Sequence, residues 1–370
     1  MKIKSIIKNF IPPLFLKAYI QIRQDLDYPP ISRKFLSEFQ VELDPMLAKQ
    51  IGDYLASKDF DFTSKYWRFL IRKNLSSLHA LGVEQYAKNV ARNYFTWLDF
   101  NDEQVSNLTS NIINMSEIDI YKFHDGFSEA ESIKHNILIS LLYSYCFNND
   151  LLDDLFNLGN EGYLFGGHPF HLVQGKKITL DSLNSVIESS TIRKYVDSNS
   201  IICEIGAGAG RTAEAIITLV PGIHYIIADL PPASFIAMNR LHLAFPESEI
   251  IYIDSKDDFL EALQNLDSWQ IIFCLPSLLE EAPDKIIDIF LAVDCLHEMN
   301  DKMRRYVSNV VGRKCRFFYL KIWEETTIPI DNLTLSANSL SDYFVDPKWK
   351  KVVDRSAVFP GNFRELIFRT

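Results

Sequence analysis

From Ser198 onward, near-continuous apolar runs alternate with amphipathic stretches: IICEIGAG, GRTAEAIITLV, HYIIADL, PPASFIAMNRLHLAF, then WQIIFCL, DIFLAVD and CRFFYLKIW. Strands that lack polar alternation are covered on both faces, so the pattern predicts a parallel sheet between two helical layers. The end of the chain differs. KWKKVVDRSAVF and FRELIFRT flank Pro360-Gly361-Asn362, a turn signal that predicts a closing antiparallel hairpin. Together these runs predict a mostly parallel, seven-stranded, Rossmann-like α/β domain over 198–370.

At 370 residues the chain is longer than one hydrophobic core usually serves. From Pro45 to Leu155 the spacing is mostly helical, as at Tyr66, Phe69, Leu70 and Lys73, and Ser128-Glu129-Ala130-Glu131 reads as a capping box. Residues 35–158 are therefore expected to form a mainly helical domain. Between Gly159 and Asp181, five glycines stand among Tyr163, His168 and His171. Glycine lets backbone approach a ligand closely, so 159–197 reads as a connector whose Tyr163, His168 and His171 line an acceptor site.

Residues 1–34 form a basic, amphipathic segment, with seven Lys or Arg against Asp25 and Asp27 in a chain of net charge −10. Such a balance excludes duplex recognition, which needs an extended basic face, so no nucleic-acid partner is expected. The longest apolar run here, Ile11 to Leu16, is far shorter than a membrane span or a secretory core. Residues 1–23 have two readings, peripheral contact with an anionic membrane surface and docking on the protein itself. The five cysteines are widely spaced with no C-x-x-C pair, which predicts reduced core thiols and a cytoplasmic protein.

Chemistry enters at Glu204-Ile205-Gly206-Ala207-Gly208-Ala209-Gly210-Arg211, where a strand turns into a helix. Gly206, Ala207, Gly208 and Gly210 bring backbone to a ligand at the carboxyl edge of the sheet. Glu204 suits a cationic amino group. Nineteen residues past Gly210, Asp229 ends the second strand, followed by Leu230, and a carboxylate there accepts from both ribose hydroxyls. Loop and carboxylate together point to an adenosine cofactor. A nicotinamide site expects a third glycine where Arg211 stands, and no G-K-[ST] sequence provides for a nucleoside triphosphate.

A second constellation, Asp294-Cys295-Leu296-His297-Glu298-Met299-Asn300-Asp301, follows DIFLAVD. Strand ends converge on one rim, so Asp294 and Cys295 face the cofactor and His297 is the candidate base, oriented by Glu298 or Asp294. The competing reading makes this a helix start capped by Asn300 or Asp301. No metal-ligand spacing supports a divalent ion, for which Asp294 and Glu298 would be the ligands.

These residues resemble a family of bacterial sugar O-methyltransferases of class I. The points of similarity are EIGAGAGR, YIIADLPPASFIAMNRL, FCLPSLLEEAPDKIIDIFLAVDCLHEM, FYLKIW and, upstream, GGHPFHLVQGKKITLDSL with His168 where Asn is usual. The resemblance runs from about Tyr163 to the C-terminus. It implies S-adenosylmethionine as cofactor, S-adenosylhomocysteine as product, Pro276 and Ser277 beside the adenine, and a carbohydrate hydroxyl as acceptor. Many relatives carry Gln at the His297 position, whereas a C-H-D-W-S-D segment in small-molecule O-methyltransferases places a catalytic His there. A phenol or lipid acceptor, a nicotinamide oxidoreductase and a non-catalytic scaffold remain the rival readings.

Overall fold

The computed structural model describes residues 44–93, 119–120, 129–159, 169–328, 333–336 and 339–370, together with Phe35 and Gln104. The basic segment 1–23, Ser128 of the capping box, Tyr163 and His168 lie outside the described residues.

The helical part opens with α1 (Pro45–Ala56), α2 (Asp59–Phe62) and α3 (Lys65–Asn93). Asp44 caps α1 by accepting from the Met46 amide. In α3 the helical spacing at Tyr66, Phe69, Leu70 and Lys73 is realised, and Gly82 at φ 75° interrupts it. A short strand, β1 (Asp119–Ile120), precedes α4 (Glu129–Asn148) and α5 (Leu152–Asn157). The hairpin β2 (Phe170–Val173) and β3 (Lys176–Thr179) pairs antiparallel with β1, and Thr179 caps α6 (Leu180–Ile192).

The α/β part runs β4 (Ile201–Ile205), α7 (Arg211–Leu219), β5 (His224–Ala228), α8 (Ala233–Ala244), β6 (Ile250–Ile253), α9 (Lys256–Gln264), β7 (Ile271–Cys274), β8 (Ile287–Val293), α10 (Asp301–Lys314) and β9 (Cys315–Trp323). A two-stranded ribbon, β10 (Glu325–Ile328) with β11 (Leu333–Ser336), precedes the final hairpin β12 (Lys350–Ser356) and β13 (Phe363–Arg369). The main sheet has eight strands in the order β12-β13-β9-β8-β4-β5-β7-β6. Strands β6 to β9, with β4 and β5, are parallel, and β13 and β12 close the sheet antiparallel. This is a Rossmann-like α/β arrangement with the expected antiparallel C-terminal hairpin, preceded by helices. The expected count of seven is corrected to eight by β6, whose four-residue apolar run lies at the sheet edge, next to β7.

Both faces of the sheet are covered, which is why its strands are apolar throughout. One face packs Ile201, Cys203 and Ile205 with Phe290, Phe318 and residues of α9 and α10. The other packs Ile202, Tyr225 and Ile227 against Ala213 and Ile216 of α7 and Met238 and Leu241 of α8. Helices α1 and α3 form a further core with Phe235 and Ile236 of α8 and with Leu275, and Ser234 donates to Gln50 at 2.9 Å. All five cysteines are buried and free. Among the described residues, no helix is long and apolar enough to cross a membrane.

Gly210 sits at φ 76°, and a Cβ there would lie 3.2 Å from Cβ of Ala237 in α8. The left-handed conformation disfavours any side chain by about 1–2 kcal/mol, so Gly210→Ala is expected to lower unfolding stability by at least that amount. Urea unfolding checks this; an unchanged midpoint would contradict the close packing of α7 and α8.

Candidate active site

The turn after β4 carries Gly206, Gly208 and Gly210 at φ 67°, 58° and 76°. A Cβ on Gly206 would stand 2.8 Å from Cβ of Cys295, so the loop passes beside the end of β8 only as glycine. The Cys295 thiol donates to the Ile205 carbonyl, fixing the two strand ends together. Asp229, at the end of β5, accepts from the Gly208 amide at 2.9 Å and from the Leu230 amide at 2.7 Å. Burial pushes this carboxyl up to about 7, and the two amides oppose that shift.

These loops open onto a cavity with about 500 Å³ of empty space including its mouth. Gly206, Asp229, Leu230, Pro276 and Cys295, all expected from the sequence, are among its walls. Its other side is built by the helical part, through Asp59, Phe62, Thr63, Ser64 and Trp67. The sequence reading missed these five. Asp59 is 2% exposed and accepts from the Ser277 amide with both oxygens, at 3.0 and 3.3 Å.

The second constellation forms a 3₁₀ turn, Leu296–Glu298, between β8 and α10. Asn300 caps α10 by accepting from the Met303 amide, so the capping role read from the sequence is filled alongside the turn. Ser64 of the helical part donates to the Glu298 carbonyl at 2.9 Å. His297 is 4% exposed; burial, and then Arg304, lower its pKa to about 3. Its Nε2 lies 3.7 Å from Asp294 and 3.9 Å from Glu298, while Nδ1 has no hydrogen-bond partner. Burial drives both carboxyls up, that of Asp294 to about 7 and that of Glu298 well above its usual range. The indoles of Trp323, beside Asp294, and of Trp67, beside Glu298, oppose these shifts. The Trp323 ring stands edge-on to His297, 6.4 Å between centroids. Asp294 is held at φ 52°, a left-handed conformation that Asp tolerates better than most residues. His297 is not itself a wall of the cavity; Cys295 and Met299, which bracket its turn, are.

Other expected site residues lie elsewhere. Glu204 is 1% exposed on β4, its Oε2 accepting from the Tyr225 hydroxyl at 2.8 Å; burial pushes it up to about 8. Arg211 is committed to α6, with Nη1 2.7 Å from Glu188 and 3.1 Å from Ser185. Lys321 of β9 joins the same carboxylate at 2.6 Å and Asn184 at 2.9 Å. Burial pushes Glu188 up, but Arg211 and Lys321 outweigh it and bring the pKa to about 2. Glu204, Ala207, Gly208, Gly210 and Arg211 thus shape the loop and its support from behind, and none is a cavity wall. His171 is buried in β2, in register with Ile178 and Ile120, and is not a wall of this cavity either. Among the described residues, no group of three or more His, Cys, Asp or Glu is placed to hold a metal ion.

Lys321 was legible in principle, as a charged residue inside an otherwise apolar strand, whereas Glu188 stands among the serines and Asn184 of α6. Asp59 had no such signal.

No family model matches the chain. Acetylserotonin O-methyltransferase of Bos taurus is 26% identical over 132 residues, 35% of this chain and 32% of that protein. The chain thus matches about a third of the length of this curated relative. Among solved structures, the mitomycin 7-O-methyltransferase MmcR aligns at TM-score 0.36 and 13% identity over 62% of this chain and 60% of its own. The pyocyanin biosynthetic protein PhzM aligns at TM-score 0.33 and 14% identity over 51% and 56%.

Two variants probe the buried charges. Glu188→Ala strands two cations and is expected to remove about 3–5 kcal/mol of stability, read by urea unfolding. Glu204 has its folded pKa raised from 4.5 to about 8. The folded state therefore holds a proton that the unfolded state releases, and stability falls as pH rises between these values. Glu204→Gln should flatten that slope by about 1.4 kcal/mol per pH unit. An unaltered pH profile would mean that Glu204 is ionised in the folded protein.

Proposed function

We propose that this chain is an S-adenosylmethionine-dependent O-methyltransferase acting on a sugar hydroxyl of a nucleotide sugar, surface polysaccharide or glycan precursor. The observation that carries the reading is the cavity in which Gly206, Asp229, Leu230 and Pro276 meet, with the His297 turn beside it. The residues fit the cofactor on two counts. Gly206 offers bare backbone at a point where any side chain would collide with Cys295. Asp229 already accepts two amides, and a carboxylate has about four acceptor positions, which leaves capacity for ribose hydroxyls.

When bound, the cofactor supplies an electrophilic methyl group on a sulfonium. Asp229 would hold the ribose, Leu230 and Pro276 the faces of the adenine, and the Gly206–Gly210 backbone the methionine part. Glu204 acts from behind, through the buried Tyr225 contact. His297 is neutral throughout the physiological range, as a proton acceptor must be. An acceptor hydroxyl donating to the unpartnered Nδ1 would leave its proton there. The resulting cation would lie 3.7 Å from Asp294, the less strongly raised of the two neighbouring carboxyls and so the one able to stabilise it as an anion. Residues 1–23 would hold the enzyme at the cytoplasmic face of a membrane where glycans are assembled.

The sugar acceptor rests on the resemblance of the ADLPPA and HEM segments. A second reading, a small aromatic acceptor, is supported by Phe62, Trp67, Met299 and Met303 around the cavity and by the likeness to the bovine enzyme.

Calorimetry with S-adenosylhomocysteine and with NAD tests the cofactor, and heat from NAD alone would overturn the reading. Labelled methyl transfer into nucleotide sugars, against hydroxylated aromatics, separates the two acceptors. His297→Ala is expected to lower kcat by roughly 10²–10⁴-fold while S-adenosylhomocysteine still binds, the usual contribution of a positioned base. An unchanged rate would remove His297 from the mechanism.

A further inference from the structure

A buried carboxylate of the helical part, Asp59, reaches across to the α/β part at the cavity. Asp59 opens α2 and is a wall of the cavity beside Pro276. Its oxygens accept from the amide of Ser277, in the turn that follows β7. Strand β7 pairs with β5, so this turn is the rim segment next to Asp229 and Leu230. Ser57 donates to the Tyr54 carbonyl, and the Asp59 amide donates to Ser57 Oγ at 3.2 Å, which fixes the start of α2. Outside the cavity, Lys58 pairs with Glu280 at 2.6 Å, across the same junction.

We propose that Asp59, a residue of the helical part, determines purine specificity in the cofactor site by accepting a hydrogen bond from the 6-amino group of the adenine. The inference rests on the S-adenosylmethionine reading and deepens it. One consequence of that reading and two observations support it. A ribose held by Asp229 would direct its base along the rim, past Leu230 toward Pro276, which are walls of the same cavity. Asp59 is the carboxylate that the helical part places at that end of the cavity. It is also acceptor-only when ionised, and although the Ser277 amide and the hydroxyls of Ser277 and Ser57 act on it, a carboxylate has about four acceptor positions, which leaves room for one further donor. A 6-amino purine presents donors to it, whereas a 6-oxo purine presents an oxygen that a carboxylate repels. The helical part therefore completes the nucleoside site, in addition to any covering of the acceptor.

The test is calorimetric and needs no turnover. S-adenosylhomocysteine and S-inosylhomocysteine, its 6-oxo counterpart, are titrated into the full-length wild-type protein and into Asp59→Asn. The wild type is expected to prefer the 6-amino ligand by roughly 10–100-fold, the scale of one hydrogen bond to a charged group together with the unpaired carboxylate left by its loss. Asparagine can donate to a 6-oxo group as well as accept from a 6-amino group, so in Asp59→Asn the preference should shrink to about threefold or less. Equal affinity of the wild type for both ligands overturns the proposal, even if the variant does not fold. A preference that persists undiminished in a folded Asp59→Asn overturns it as well. If the wild type binds neither ligand, the cofactor reading itself fails, an outcome distinct from the other two.

Discussion

Asp229 has burial as the main influence on its carboxyl group, and what holds it is a pair of backbone amides. A desolvated carboxylate must find donors, and here they come from Gly208, in the turn after β4, and from Leu230, directly after Asp229 itself. That need fixes the position of the glycine turn relative to the end of β5. Cys295 does the same from the other flank, packing on Gly206 and donating to Ile205. Three strand ends are thereby held in one rim, and the cavity, the Ser277 turn and the His297 turn all take their places from it.

Behind the rim lies a second layer of support. Glu188 of α6 binds Arg211, the first residue of α7, and Lys321 of β9. The Lys321 carbonyl in turn accepts from the Asp294 amide. The electrostatic path from α6 to the turn beside His297 is thus continuous, and none of its members touches the cavity. A residue such as Arg211, adjacent in sequence to the glycine loop, acts by holding that loop.

The alternation of apolar runs was enough to read the sheet and its hairpin. The glycine motif and the strand ends gave the rim residues Gly206, Asp229, Leu230 and Cys295, because these depend on local order along the chain, and Pro276 came only from the family resemblance. β6 escaped notice because an edge strand of four residues carries a short apolar signal, and Ile251 and Tyr252 are only half-buried. Asp59 escaped for a different reason. Its partner, Ser277, is 218 residues away, and nothing local distinguishes it from Asp61 two positions on. Arg211 and Glu204 were placed in the right neighbourhood, but a sequence does not tell which side of a loop a side chain serves.

The Glu188 cluster also bears on the order in which the chain can assemble. Glu188 and Arg211 are 23 residues apart, while Glu188 and Lys321 are 133 apart. Closing the longer loop costs about 1.5 kcal/mol more in chain entropy, and on a ribosome Lys321 emerges long after the other two. The nearer guanidinium is available to neutralise Glu188 from the outset, and the ammonium joins only once β9 has been added beside β8. A carboxylate shared in this way has a partner close in sequence before its distant one is in place.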